Sequence, residues 1–158
     1  MKARILATFG AAMTAGALAA EPQVPYPDGY RDWHHVKSMV IEEGHQLYSA
    51  FGGIHHIYAN DKALNGYRKG SFPDGAVLIF DLLEAISAGN AITEGQRKVV
   101  GVMHKDAEQF AATGGWGFEG FGGGDPTNRV VGKDAASACF ACHQPQKDKD
   151  YTFSQRRD

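Results

Sequence analysis

The sequence predicts an α+β fold, mainly an antiparallel β-sheet with flanking helices, and three observations support this class. Glycine contributes 20 of the 158 residues, and each glycine inside a helix costs about 1 kcal/mol relative to alanine. Several short β-branched runs are bounded by turn residues. The hydrophobic fraction of 43% is enough for the core of one domain. A four-helix bundle is therefore not expected.

The first half of the chain is predicted to form a helix, a strand and a helical turn. Residues 31–48 carry apolar side chains at near-helical spacing, which indicates a helix ended by a glycine pair. Residues 54–59 are a short β-type run and predict a strand. The Asn-Asp pair that follows begins a turn and one helical turn, residues 60–67.

The second half alternates strands with turns. In the turn at residues 72–75, proline fixes φ and glycine accepts a positive φ. Apolar and β-branched residues then predict strands at 76–83, 97–105 and 116–121. Helices are predicted at 106–112, ended by a glycine pair, and at 134–145. No repeat or second domain is visible, so residues 21–158 are predicted to be a single domain.

The first twenty residues have the pattern of a secretory signal peptide. Two basic residues precede an uncharged apolar run, and Ala17-Leu18-Ala19 fits the small-residue pattern of a cleavage site. Cleavage near residue 19 or 20 is expected, and no later segment has the roughly 20 apolar residues of a membrane span. These features predict an exported protein, periplasmic in a Gram-negative source, with no membrane span.

The only two cysteines stand in Cys139-Phe140-Ala141-Cys142-His143. Two thiols three residues apart, followed at once by a histidine, are the attachment motif of a c-type haem. On a helical turn both sulfurs lie along one side, and the imidazole points at the ring centre. The sequence therefore predicts one covalently attached haem c, bound by Cys139 and Cys142, with His143 as an iron ligand.

Three other uses of a cysteine pair fit the sequence less well. A thioredoxin-like redox pair needs a preceding strand in a βαβ unit, which the alanine-rich residues before the motif do not provide. A zinc site needs four ligands, and there is no second cysteine pair. A plain disulfide leaves His143 without a role.

The sixth ligand of the iron is left open by the sequence. No Met or His follows His143, so a distal ligand would come from upstream unless the position stays empty. Methionine usually fills cores, and most histidines are structural or exposed. The upstream candidates are Met39, Met103, His34, His35, His45, His55, His56 and His104.

Four segments ahead of the motif carry a family resemblance. They are Arg31-Asp32-Trp33 with Ser38-Met39, Gly53-Ile54-His55-His56-Ile57-Tyr58-Ala59-Asn60, Phe72-Pro73-Asp74-Gly75-Ala76-Val77 and Gly114-Gly115-Trp116-Gly117-Phe118-Glu119. With a C-terminal haem motif, they make the chain similar to the cytochrome P-460 family over nearly all of its mature length. Within that family it most resembles the cytochrome c′-beta branch.

The resemblance implies a large antiparallel sheet with flanking helices, a homodimer and a five-coordinate haem that binds nitric oxide. Members of the beta branch cover the open face of the iron with two phenylalanines. By spacing and motif context, the matching positions are Phe51 and Phe80. The leading hypothesis is thus an exported cytochrome that binds nitric oxide or another small diatomic ligand.

Two alternatives stay open. Family members that oxidise hydroxylamine carry a lysine cross-linked to the haem and pass electrons to a small redox partner protein. In this chain Phe80 occupies the position where such a member could present its lysine. The lysines that remain as candidates for a cross-link are Lys69, Lys98 and Lys105, and each lies beside turn or charged residues typical of solvated side chains. The second alternative is simple electron transfer with a sixth ligand.

Composition excludes one class of partner and singles out no catalytic residue. The net charge of −2 provides none of the basic surface that nucleic acid requires. The carboxylates show no pairing that identifies an acid–base dyad, so catalytic residues are unknown from sequence. The carboxylates considered for this role are Glu42, Glu43, Glu108 and Glu119.

Overall fold

The computed structural model describes residues 23–157 and contains one five-stranded antiparallel sheet. Each strand pairs with the next along the chain, so the order across the sheet is β1-β2-β3-β4-β5. The strands are β1 (His34–Ile41), β2 (Gly53–Ala59), β3 (Val77–Ala88), β4 (Ala91–Lys105) and β5 (Trp116–Gly122). The helices are α1 (Tyr48–Phe51), α2 (Asp61–Lys69) and α3 (Ala141–His143). The predicted α+β class is confirmed, and the predicted signal peptide lies outside the described residues.

The predicted first helix, residues 31–48, is wrong. A 3₁₀ turn (Tyr30–Asp32) leads into β1, and only the four residues of α1 are α-helical in this region. A β-bulge between His35 and Lys37 shifts the alternation of side chains, so Val36 and Ile41 are both buried although they are five residues apart. β-branched side chains and pairing with β2 favour the strand.

Helix α2 begins where the sequence predicts. The side chain of Asn60 accepts a hydrogen bond from the backbone N–H of Ala63 at 2.9 Å, which caps the helix. The helix runs past its predicted end at Tyr67 and stops at Gly70, whose φ of 77° is the left-handed conformation of a helix end.

Strands β3 and β4 form a hairpin that is longer than predicted. Gly89 and Asn90 connect them, and both have positive φ, as a tight type I′ turn requires. β2 pairs with β3 only as far as Leu83, and β5 pairs with β4 only from Val99 onwards. The hairpin therefore extends beyond its neighbouring strands as a two-stranded ribbon.

The predicted helix at residues 106–112 is also wrong. The carboxylate of Asp106 accepts hydrogen bonds from the backbone N–H groups of Glu108 and Gln109, which stabilises a turn. A 3₁₀ turn (Ala111–Thr113) follows, and Gly114 and Gly115 end it at positive φ. Strand β5 then begins at Trp116, as predicted.

The predicted helix at residues 134–145 is present as a series of shorter helical turns. They are a 3₁₀ turn (Gly132–Asp134), a π-helical turn (Ala136–Phe140), helix α3 and a further 3₁₀ segment (Gln144–Lys149). This series packs against one side of the sheet.

The sheet carries a core on each side. We call the side that contacts the Cys139–His143 segment the motif face; its core includes Ala59, Leu78, Met103 and Phe118 and is extended by α2. The core of the opposite face contains Ile79, Val100, Val102 and Phe121 and is covered by the N-terminal residues from Val24 onwards. Within residues 23–157, no helix has the length and apolar character needed to cross a membrane.

Candidate functional site

The cysteine motif lies on the helical turns that pack on the motif face. Cys139 and the adjacent Phe140 contact the core of this face, whereas Cys142 is exposed. Both thiols are free, and residues three apart are neighbours on a helical surface. Burial raises the pKa of the Cys139 thiol to about 11.

A buried carboxylate on β5 holds the loop that enters this segment. Glu119 accepts hydrogen bonds from the backbone N–H groups of Val131 at 3.0 Å and Gly132 at 3.2 Å, and it forms an ion pair with Arg129 at 3.1 Å. Burial alone would raise the pKa of Glu119, but the hydrogen bonds from Gly120, Gly132, Arg129 and Val131 outweigh it and hold this pKa below its usual range. The start of the motif is thereby fixed to the sheet.

His143 is oriented by one hydrogen bond and two aromatic rings. Its Nδ1 lies 2.7 Å from the backbone oxygen of Tyr151, and a carbonyl can only accept, so Nδ1–H donates. The ring lies 5.1 Å from the Phe118 ring and 5.0 Å from the Phe153 ring. Burial lowers the pKa of His143, and the Tyr151 carbonyl opposes this shift only in part. The imidazole is therefore held neutral with its Nε2 lone pair free, the form that ligates a metal.

The two phenylalanines singled out in the sequence are in contact. Phe51 ends α1 and Phe80 lies on β3, and their ring centroids are 5.6 Å apart at 77°, an edge-to-face pair. Phe51 is 40% exposed. The side chain of Phe80 points to the motif face, since residue 80 alternates with the buried Ile79 of the opposite core.

A row of cross-strand pairs on the motif face runs from β2 through Phe80 to β5, the strand that contacts His143. Across the sheet, Ile57 pairs with Phe80, Phe80 with Gly101, and Gly101 with Gly120. The atoms nearest to a Cβ built on Gly101 belong to Phe80, at 3.4–3.6 Å. Phe118, which contacts His143, lies two residues before Gly120 on the same face. Gly101 thus leaves space beside Phe80, whereas a Cβ built on Gly120 would lie 2.8 Å from the Val130 side chain.

A buried histidine behind Phe80 was not distinguished from the others by sequence. The ring of His55 lies 4.5 Å from that of Phe80, and its Nδ1 is buried without a hydrogen-bond partner. Burial, followed by the charges of Lys37 and His56, lowers the pKa of His55 to about 4. The wrong helix assignment hid this arrangement, because only the strand β1 places Lys37 and Met39 on the motif face, opposite Ile57 and His55.

The other histidines belong to different surroundings. His34 and His35 lie on β1 and His45 lies in the turn after it, so their predicted helical placement is wrong. His35 and His56 both hydrogen-bond the Ser38 hydroxyl, at 2.8 and 2.6 Å. Since residue 56 alternates with residue 55 on β2, this cluster lies on the opposite face from Phe80.

The three lysines named from the sequence are not grouped around the motif face. Lys69 is exposed at the end of α2. Lys98 donates to the backbone oxygen of Gly52 at 2.7 Å. Lys105 is buried and forms an ion pair with Asp150 at 2.6 Å, so the expectation that it is solvated is wrong. Its partner is remote in sequence, and no local pattern reveals it.

The residues of the motif face fit a haem. They provide two free thiols three residues apart on a helical segment, a neutral imidazole with a free Nε2, and an apolar surface bordered by aromatic rings. Met39 and Met103 also lie on this face, and Met39 is 41% exposed. Within residues 23–157, no group of three or more His, Cys, Asp or Glu side chains is arranged to hold a metal ion.

A model of a known protein family matches most of the chain. The family model described as Cytochrome P460 matches residues 27–154, which include every strand of the sheet and the whole cysteine motif. No curated protein matches the chain.

Proposed function

The chain belongs to the cytochrome P460 family, and from this membership and the geometry of the motif face we propose that it is an exported, single-haem c-type cytochrome that binds nitric oxide. The observation that carries the proposal is the edge-to-face contact of Phe51 with Phe80, beside Gly101 on the motif face. In this proposal Cys139 and Cys142 would hold haem c covalently, and His143 would be a ligand of its iron.

When bound, the haem iron supplies an open coordination position that takes up a diatomic ligand. The protein determines which ligands are favoured. His143 donates its Nδ1–H to Tyr151 and so offers Nε2 to the iron in a fixed orientation. Phe51 and Phe80 form an apolar wall that donates no conventional hydrogen bond. A ligand that needs a hydrogen-bond donor, as O₂ does, gains nothing from this wall, whereas NO needs none.

The wall also disfavours proton transfer. A general base must lie within hydrogen-bond reach of the proton that it removes. The nearest titratable side chain behind Phe80 is His55, which is covered by the Phe80 ring and is only 5% exposed. This arrangement supports gas binding over deprotonation of a substrate such as hydroxylamine. It also supports placement in the cytochrome c′-beta branch of the family.

Replacement of the wall tests the proposal. The Phe51→Ala and Phe80→Ala holoproteins should show faster NO association and a gain in water or O₂ binding, because each substitution opens the wall. Phe110→Ala is the matched control, since Phe110 packs against the core of the opposite face. Gas affinities and ligand spectra identical to those of the wild type in both wall variants would refute the assignment of Phe51 and Phe80.

One observation favours a second candidate function, oxidation of hydroxylamine or NO on a lysine-cross-linked haem. Lys37 pairs with Ile57, which in turn pairs with Phe80, so this lysine lies in the same row of the motif face. Mass spectrometry of tryptic haem peptides decides between the candidates. A haem peptide joined to a lysine-bearing fragment, from Lys37, Lys69, Lys98 or Lys105, would replace the gas-binding proposal with this one.

A further inference from the structure

The turn that holds His143 is strained. Asp150 has φ 48° and ψ 46°, and the next residue, Tyr151, has φ 62°. Both are left-handed conformations that residues other than glycine rarely adopt. Two such residues in succession persist only where the surrounding structure holds them in place, and such strain is concentrated at functional sites.

Three contacts hold Asp150 in this conformation. Lys105 Nζ lies 2.6 Å from Asp150 Oδ1 in an ion pair whose side chains are only 10% and 15% exposed. The backbone N–H of Phe72 donates to Oδ2 at 2.7 Å, and Trp116 Nε1 donates to the Asp150 backbone oxygen at 2.9 Å. The sheet therefore binds the side chain and the backbone of this one residue.

Lys105 is itself fixed on more than one side. It donates to the backbone oxygen of Gly114 at 3.1 Å and lies over the Trp116 ring, 4.9 Å from its centroid. A lysine so buried has little freedom to move with its partner. The end of β4 thus provides a rigid anchor for the turn.

The anchored turn presents the carbonyl that orients the imidazole. Tyr151 follows Asp150 directly, and its backbone oxygen accepts the Nδ1–H of His143 at 2.7 Å. Its ring also packs on Phe140, 5.3 Å away. Lys105 therefore acts on His143 through Asp150 and Tyr151.

We propose that Lys105 and Asp150 are positioning residues for the axial ligand, because they hold the Tyr151 carbonyl against His143. The inference rests on the proposed role of His143 as the iron ligand. A hydrogen bond at Nδ1 fixes the tautomer and raises the basicity of the ligating nitrogen. Without the ion pair, the turn relaxes towards allowed φ values, the carbonyl moves away, and the imidazole becomes a weaker ligand.

Resonance Raman spectra of the ferrous holoprotein test this. Lys105→Met and Asp150→Asn should lower the iron–histidine stretching frequency and raise the reduction potential, because a less basic imidazole stabilises ferric iron less. Lys105→Arg keeps the charge and should restore both values towards those of the wild type. Lys62→Met is the matched control: Lys62 lies on α2 and also donates to a backbone carbonyl, that of Asp74. It should leave both readouts unchanged.

The outcomes separate this inference from the proposed function. A variant that only loses thermal stability, with wild-type frequency and potential, shows a purely structural ion pair and overturns the inference. Should Lys105→Met fail to fold, Asp150→Asn carries the test, since it removes the charge of the carboxylate with little change in the shape of the side chain. A wild-type protein without any iron–histidine band would overturn the axial role of His143 and this inference with it.

Discussion

Burial of His55 makes the stability of the protein depend on pH. The folded state lowers the pKa of His55 to about 4, chiefly by desolvation, from an ordinary value of 6.5. Between pH 6.5 and about pH 4, His55 is therefore protonated in the unfolded chain but largely neutral in the folded chain. The stabilisation is fully present above pH 6.5 and is lost as the pH falls towards 4.

The size of the effect follows from the two pKa values. Each pKa unit corresponds to about 1.4 kcal/mol, so the complete loss is about 3 kcal/mol. Between pH 7.5 and pH 5, where protonation of the unfolded state is well advanced, about 2 kcal/mol of unfolding free energy should disappear. His104 and His143 also have lowered pKa values and contribute in the same direction.

The His55→Leu variant isolates this contribution because the other groups stay in place. We measure the free energy of urea unfolding of each holoprotein at pH 7.5 and at pH 5. The decrease between these pH values should be about 2 kcal/mol smaller in the variant than in the wild type. His45→Leu, at an exposed position, controls for the loss of a histidine. Equal losses in the wild type and in His55→Leu would refute the reasoning.

Three further predictions concern other parts of the molecule. Arg97 pairs with the buried carboxylate of Asp81 at 2.6 Å, so Arg97→Met should lower the free energy of urea unfolding by about 3–5 kcal/mol. Adding Asp81→Leu should recover most of this loss, because it removes the unpaired buried charge. A loss below about 1 kcal/mol in Arg97→Met would contradict the account. Cys139→Ala with Cys142→Ala should lose the covalent haem mass of the wild-type polypeptide under denaturing mass spectrometry, and haem mass retained by this double variant would exclude thioether attachment. The two-stranded ribbon of the β3–β4 hairpin leaves Ile86 47% exposed, and an isolated ribbon is only marginally stable. The wild type should therefore sediment as a homodimer, and Ile86→Lys should shift it towards monomer. A dimer unaffected by the substitution would place the interface elsewhere.

Local signals in the sequence were sufficient for much of the fold. The cap at Asn60, the turn before β3 and the β-branched residues of β4 act over a few residues, and the structure has the corresponding elements. The prediction of the first helix is wrong because a bulge at Val36 breaks the strand alternation, and a bulge depends on pairing with β2. Long-range pairing also extended β3 and β4 past their predicted ends.

The sequence predicts those site residues whose role depends only on residue type and spacing along the chain. Cysteine and histidine at fixed spacing identify the motif without knowledge of the fold, and the resemblance drew attention to Phe51 and Phe80, which the structure brings into contact. The burial of His55 and Lys105 could not be predicted in this way. Both depend on neighbours from other strands or from the C-terminal turn, which no local pattern reveals.

The visible absorption spectrum of the purified protein, ferric and ferrous, before and after addition of NO, tests the central proposal most directly. The account predicts a high-spin c-type spectrum that shifts when NO is added, as expected for an open iron beside an apolar wall. A low-spin spectrum in both oxidation states would show that a side chain fills the sixth position and would contradict the account. A strongly red-shifted ferrous Soret band would also contradict it, because such a band indicates a cross-linked haem and hydroxylamine oxidation.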